Sequence, residues 1–225
     1  MKALLVVTLL AGTAHARDWQ GLLDRIQGGS TLHYELTGLS DIDDMATGPD
    51  QLVLAGARLH GFISTSRRWA FQGGIDLALG ATIQRGGFAY DVALLPVGFV
   101  LRLGATSFVG VAGGIGALGA TPTADDAMTL PLEAALELGS GVRVLGRARY
   151  SYLAFSGTGG ASDAILEGML GLRIGHHYED FGFPSGNGYF VAASYREQAG
   201  ERMVGLTIGY SIDLATPRHS RRDAE

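Results

Sequence analysis

The chain of 225 residues contains no cysteine, which removes disulfides, thiolate metal sites and cysteine nucleophiles from consideration. Lysine is nearly absent too, since Lys2 is the one lysine among 17 Lys and Arg residues. The formal net charge of -5 lacks the basic stripe that neutralising phosphates requires, and so argues against a nucleic-acid partner. Prolines number only 6 against 35 glycines, yet 47% hydrophobic and 17% charged residues make the composition that of one folded domain. Beyond the N-terminus no charge-free apolar run reaches about twenty residues, so a helical membrane span is excluded and any crossing falls to strands.

The N-terminus carries Lys2, an apolar run from Ala3 to Leu10, and the small-x-small pattern Ala14-His15-Ala16 that signal peptidase cleaves. Residues 1–16 are read as a removed signal peptide, after which the net charge becomes -5 - 1 = -6. Trp19, Leu22, Leu23 and Ile26 come after Asp18 at i, i+3, i+4, i+7 spacing. Residues 17–30 are therefore expected to form a short amphipathic helix, N-capped by Asp18 and ended by Gly28-Gly29, able to plug a barrel or cover one of its mouths.

From Thr31 the period becomes two. Val204, Leu206, Ile208, Tyr210, Ile212 and Leu214 alternate with Gly205, Thr207, Gly209, Ser211 and Asp213, leaving one oily face and one that is small or polar. Segments near 31–39, 51–64, 69–84, 88–103, 107–118, 129–138, 142–154, 164–176, 188–197 and 202–214 repeat this pattern. They predict ten strands, with eight the alternative count. Such runs are longer than the five or six residues common in soluble strands and suit a tilted crossing of hydrocarbon. Pro96 breaks the alternation, and a bulge there would restore the oily face. The fold class is all-β: a closed antiparallel up-and-down transmembrane barrel over residues 31–214, succeeded by a basic solvated tail, 215–225.

The polar face carries charge of both signs. Around Gly139-Ser140-Gly141, a three-residue turn would pair Leu138 with Val142, placing Glu137 opposite Arg143 and Glu133 opposite Arg147. With Arg149, Glu167 and Arg173 these residues are expected to line the lumen as ion pairs. Glu35, Asp76, Asp91, Asp213, Arg58, Arg102 and Arg196 share that face and balance the signs, which fits mutual neutralisation better than the one-signed ring of a selective pore. Connections 40–50, 119–128 and 155–163 are long, whereas 65–68, 104–106 and 139–141 are tight, an asymmetry of outer loops and periplasmic turns. Residues 85–87 and 177–187 break that rule.

In these features the chain resembles the small outer-membrane barrels of the OmpA, OmpX and OmpW type. The most specific local match is the last strand, where Thr207, Gly209, Ile212 and Leu214 resemble the assembly signal of such barrels. The resemblance implies a Gram-negative outer membrane, partnership with its lipids and with the barrel-assembly machinery, and no cofactor.

Enzyme chemistry is thinly represented. His33 and Glu35 share a face with Arg58 and His60, an arrangement that could orient a general base but reads first as lumen hydrogen bonding. His176, His177, Glu179, Asp180 and Ser185 cluster at a strand end without matching a hydrolase motif. Asp41, Asp43, Asp44 and Asp50 form an acidic loop without EF-hand spacing, and no helix comes after Gly73-Gly74 or Gly113-Gly114 to receive a phosphate. The leading expectation is a non-enzymatic barrel with a structural or surface-interaction role and an unspecified surface partner. A lipid A or phospholipid hydrolase, a narrow solute pore and a soluble lipocalin-like barrel are the alternatives.

Overall fold

Alternating side chains give each strand one oily and one wettable face, and a sheet of such strands can dispose of its edges by closing on itself. The computed structural model describes residues 27–43, 50–64, 68–84, 86–104, 106–119, 127–156, 164–176, 187–198 and 200–215, and in them the sheet closes. The strands are β1 (Gln27–Asp41), β2 (Gln51–Ser64), β3 (Trp69–Thr82), β4 (Gly87–Arg102), β5 (Phe108–Gly119), β6 (Ala127–Gly139), β7 (Val142–Ser156), β8 (Ala164–His176), β9 (Asn187–Gln198) and β10 (Glu201–Ala215). Each pairs antiparallel with its sequence neighbours, and β1 pairs with β10, giving ten strands rather than eight. The end where β1 starts and β10 finishes is the terminal end; the opposite one is the distal end.

The barrel begins earlier than the residue pattern suggested. Gln27 to Ser30, assigned to the helix, instead open β1, with Gly28 and Gly29 opposite Ile63 and Phe62 of β2. The two glycines read as a helix stop extend the sheet, because β2 runs on far enough to pair with them. Residues 17–26, 1–16 and 216–225 lie outside the described residues, so the helix, signal-peptide and tail readings concern parts not described.

Faces obey the sequence parity. Ile208 is 52% exposed and Leu170 62%, while Thr207 on the other parity is 1% exposed and Arg143 0%. This inverts a water-soluble barrel, whose apolar side chains fill the interior. An apolar band that surrounds a charged lumen identifies hydrocarbon as the outer solvent and sets aside the lipocalin-like alternative. Near the terminal end the exterior carries Trp69 stacked on Phe99 at 5.7 Å, and Tyr189 beside Tyr210 at 4.5 Å. Phe88 and Tyr90 sit together near the distal end, so aromatics mark both margins of the band.

At Pro96 the β4–β5 register jumps from Leu94 opposite Ile115 to Val97 opposite Gly113. The extra residue returns Val97 to the outer face occupied by Leu94, as the broken alternation required. The β6–β7 hairpin departs from the expected pairing. Gly139, at φ 114°, pairs with Arg143, and Leu138 therefore faces Val144 rather than Val142. The turn lies one residue later than expected, which slides the register by two. Since the side-chain period is also two, every residue keeps its face while Glu137 comes opposite Leu145 and Glu133 opposite Arg149.

At the distal rim the aspartates of the first loop secure strand ends. Asp41 accepts a hydrogen bond from the Asp43 amide at 2.8 Å, Asp50 accepts from the Gln51 amide at 2.9 Å, and Asp43 accepts from the Arg202 amide at 2.9 Å and its Nε at 3.1 Å. Asp44 lies outside the described residues. The hydrogen bonds from Arg202 hold the Asp43 carboxyl below the ordinary carboxylate range.

The assignment of faces and the rim contact can each be measured. Ile208→Arg places a guanidinium on the lipid face and should lower stability by about 2–4 kcal/mol in urea titrations of bilayer-refolded protein, whereas Ile208→Leu should be near neutral. Because the Asp43 value is depressed on folding, the Asp43–Arg202 contact contributes fully above about pH 4 and is lost as pH falls through the folded value. Carboxyl NMR should show the Asp43 titration moving up toward the ordinary range in Arg202→Gln, which removes the guanidinium and keeps the backbone amide; an unmoved titration contradicts the assignment.

Candidate functional site

A ten-strand barrel is wider than the eight-strand size that ordinary side chains fill, so its interior needs long ones. The lumen meets that need with arginine. Arg58 on β2 reaches across to Glu133 on β6, its Nη2 donating to both carboxylate oxygens at 2.6 and 2.7 Å, and it also contacts Asp76 on β3 at 3.0 Å. Arg147 on β7 meets Glu35 on β1 at 3.3 Å, and Arg149 donates to Asp91 on β4 at 3.1 Å. Arg149 also lies 3.9 Å from both Asp76 and Glu167, and Glu167 accepts from Arg196 at 3.1 Å. Nearer the terminal end Glu137 serves both Arg143, at 2.6 Å, and Arg173, at 3.1 Å. Among the described residues six carboxylates, Glu35, Asp76, Asp91, Glu133, Glu137 and Glu167, thus face six guanidiniums, Arg58, Arg143, Arg147, Arg149, Arg173 and Arg196.

Glu133, Glu137, Arg143, Arg147, Arg149, Glu167 and Arg173 have contacts within the lumen, Arg102 donates to the Gly104 carbonyl at 2.8 Å, and the side chain of Asp213 lies outside the described residues. Glu137 and Arg143 make contact diagonally rather than as a directly opposed pair, and Glu133 is bound by Arg58 instead of Arg147. Arg147 crosses to Glu35 because the two-residue slip brings Ala135, not a carboxylate, opposite it. Parity marks Glu35, Asp76, Asp91, Arg58 and Arg196 as inward-facing. No local spacing could have joined Arg58 to Glu133 across 75 positions, since only closure of the sheet brings them together.

Apolar clusters are interleaved with the charged belt toward both ends, with Phe108 opposite Glu137, Phe190 opposite Arg173 and Leu118 opposite Asp91. Leu39, Leu52, Leu54, Ala89 and Met203 cluster at the distal end, with Leu118, Ala127, Leu153 and Ile165 alongside. Phe62, Ala70, Val100 and Phe108, and across from them Leu145, Phe190 and Ala192, form the terminal-end layer. Cavities among the described residues include one of about 130 Å³ toward the terminal end and one of about 70 Å³ toward the distal end; Glu35, Arg58, Arg147 and Met169 border both and form the waist between them.

The histidine-carboxylate group takes a different form from the one expected. His60 Nε2 is 2.8 Å from Asp76, not joined to Glu35, and His33 Nδ1 is 3.5 Å from Arg173 Nη2. Asp76 is shared among His60, Arg58 and Arg149, so this is a corner of the ion-pair belt rather than a base aimed at a nucleophile. His177, Glu179, Asp180 and Ser185 lie outside the described residues, as does the side chain of His176.

The assembly-signal residues have packing roles in the closed barrel. The Thr207 hydroxyl bonds with those of Thr37 at 2.8 Å and Ser194 at 2.6 Å, tying β10 to both neighbours. A Cβ on Gly209 would lie 2.4 Å from the Phe190 ring and 2.3 Å from the Tyr34 carbonyl oxygen, so the bare backbone is what admits that ring into the lumen. Gly74 makes the same allowance for His60, whose ring a Cβ would meet at 2.7 Å. Ile212 and Leu214 share the outward parity, and Leu214 is exposed.

Closure without an edge, antiparallel up-and-down order, an even strand number and an apolar exterior are now together. The fold is that of an outer-membrane β-barrel. Solved structures similar to the chain include Ail, the attachment invasion locus protein of Yersinia pestis, at 11% identity and TM-score 0.37, covering 84% of this chain and 98% of that one. The translocator domain of the autotransporter NalP from Neisseria meningitidis is 10% identical, with TM-score 0.40 and coverage of 95% and 98%. The β domain of the Bordetella autotransporter BrkA is 13% identical, with TM-score 0.45 and coverage of 82% and 97%. No protein-family model and no curated protein matches the sequence.

The Glu35–Arg147 strut isolates one two-membered pair for measurement. Arg147→Met leaves Glu35 buried without its cation and should cost about 3 kcal/mol, while Glu35→Leu/Arg147→Met should recover most of that loss. Equal urea midpoints for the single variant and the wild type would show that the strut carries no stability.

Proposed function

We propose that this chain is a non-enzymatic, non-conducting barrel of the Gram-negative outer membrane that acts through its exterior and its loops, as a structural or surface-interaction protein. The single observation that carries this reading is the ion-pair belt across the lumen. Guanidiniums and carboxylates in contact neutralise each other and fill the bore, where a solute pathway needs a continuous wet passage lined by one sign of charge or by neutral polar groups. The apolar clusters interleaved with the belt toward both ends support the same reading, since water is poorly held between leucine and phenylalanine side chains.

The location rests on the apolar exterior with its aromatic margins, together with the signal-like residues 1–16 in the sequence. Outer-membrane lipids are then the partners of the band, and the barrel-assembly machinery is the partner of β10. The terminal end faces the periplasm in this reading, which points 42–50, 120–126 and 157–163 outward. Tight connections at 83–86 and 199–200 on that side, and the long 177–186 on the other, depart from the usual asymmetry.

The test has two parts. In a urea-washed outer-membrane fraction the protein should be retained and should run faster on a gel unboiled than boiled, because a closed barrel keeps its compact shape in detergent until heated. In a planar bilayer the refolded protein should give no reproducible single-channel steps. Loss to the urea wash would overturn the membrane reading, and steady conductance would overturn the closed lumen in favour of a narrow pore.

A further inference from the structure

The charged side chains described in the lining of the terminal-end cavity already answer one another. Glu133 is held by Arg58 at 2.6 Å, Glu137 by Arg173 at 3.1 Å and Glu35 by Arg147 at 3.3 Å, and all six groups belong to that lining. An ion entering the cavity must displace one of these partners or stand unpaired away from water, and either is costly. An uncharged guest meets no such cost.

Two neutral polar groups of the same lining are placed differently. The side-chain amide of Gln72 has no hydrogen-bond partner among the described residues. It rests beside bare backbone, since a Cβ on Gly98 would lie 3.1 Å from Gln72 Cγ and one on Gly110 3.6 Å from its Oε1. His33 turns Nδ1 to the Arg173 guanidinium at 3.5 Å. A guanidinium can only donate, so the ring proton stays on Nε2, which has no partner among the described residues either. An amide and a ring N–H withdrawn from bulk water in this way keep an unused capacity for hydrogen bonds.

The rest of the lining is largely apolar, with Phe62, Val100 and Phe108 on one side of the bore and Leu145 and Phe190 on the other. The cavity measures about 130 Å³. An apolar space of about 150 Å³ admits a benzene molecule, so there is room for about one ring. Apolar walls with a few polar groups to fix orientation are the usual form of a small-molecule site.

We infer that the terminal-end cavity is a binding site for an uncharged single-ring molecule carrying one hydroxyl, the chemistry of a phenol. The ring lies between the two apolar walls. The hydroxyl, which both donates and accepts, takes the Gln72 amide as its partner, with the His33 N–H a second donor in the same lining, and the salt bridges stay in place. A ring without a hydroxyl would leave the amide unanswered, and a charged ring would compete with pairs already made. The inference goes beyond the closed-barrel reading and does not depend on it, since a barrel can hold such a molecule whether or not its lumen conducts.

Methyl NMR of the full chain, refolded in detergent with isotope-labelled methionine, tests it. Met169 lines the cavity, whereas Met128 is exposed on the lipid face and reports guest that merely dissolves in the micelle. Phenol is the probe, benzene the ring without a hydroxyl, and benzoate and benzylammonium the charged rings. The Met169 signal should shift saturably with phenol, at least tenfold more tightly than with either charged ring and several-fold more tightly than with benzene. Gln72→Leu removes an amide without a described partner, so the barrel should still fold; it should weaken phenol several-fold and leave benzene as tight or tighter. Ala135→Leu fills the cavity from β6 and should abolish the Met169 shift. Heat-dependent gel mobility establishes that each variant is folded, and if Ala135→Leu does not fold, Gln72→Leu decides. A Met169 shift that only follows that of Met128, a charged ring or benzene as tight as phenol, or phenol binding unchanged in Gln72→Leu overturns the site. Silent bilayers with no phenol binding would sink this inference alone, and conducting ones with phenol binding would sink only the closed lumen.

Discussion

Hydrocarbon offers no partner to a charge or to a backbone amide, and the rest of this molecule is built around that constraint. Every strand must be paired on both sides, which closes β1 on β10. Every charged side chain at membrane depth must then turn inward and meet its opposite there. The six guanidiniums and six carboxylates of the lumen are the consequence, and the absence of lysine from the described strands belongs with it. A planar fork can bridge two carboxylates at once, as Arg58 does between Asp76 and Glu133.

Packing inside so narrow a space depends on what is left out as much as on what is put in. Phe190 occupies the space that the missing side chain of Gly209 leaves, and His60 that of Gly74. At these two inner-face positions glycine has a role distinct from turn formation, as the socket for a bulky neighbour on the adjacent strand. The same packing gives Thr207 and Gly209, residues that resemble an assembly signal, roles in the folded barrel as well.

Ion pairs in a closed bore do not all stand on equal terms. Glu35 and Arg147 meet as two, Asp76 is shared among Arg58, Arg149 and His60, and Glu137 serves both Arg143 and Arg173.

Much of this was legible in the residue order. Period-two alternation assigned nearly every side chain to the inner or outer face, and the phase change at Pro96 located the bulge. Facing is local information, because a strand turns each side chain over at every step. The β6–β7 register and the first residues of β1 were not legible: a turn can move by one position and slide the ladder by two without exposing any charge, and Gly28-Gly29 suit a strand as well as a helix end. The choice of partners was least legible of all. That Glu133 takes Arg58 and Arg147 takes Glu35 depends on which walls confront each other across the bore. The sequence by itself determined a barrel with oil outside and balanced charge within; the tertiary structure alone decided which charges meet, because only closure sets distances between strands far apart in the chain.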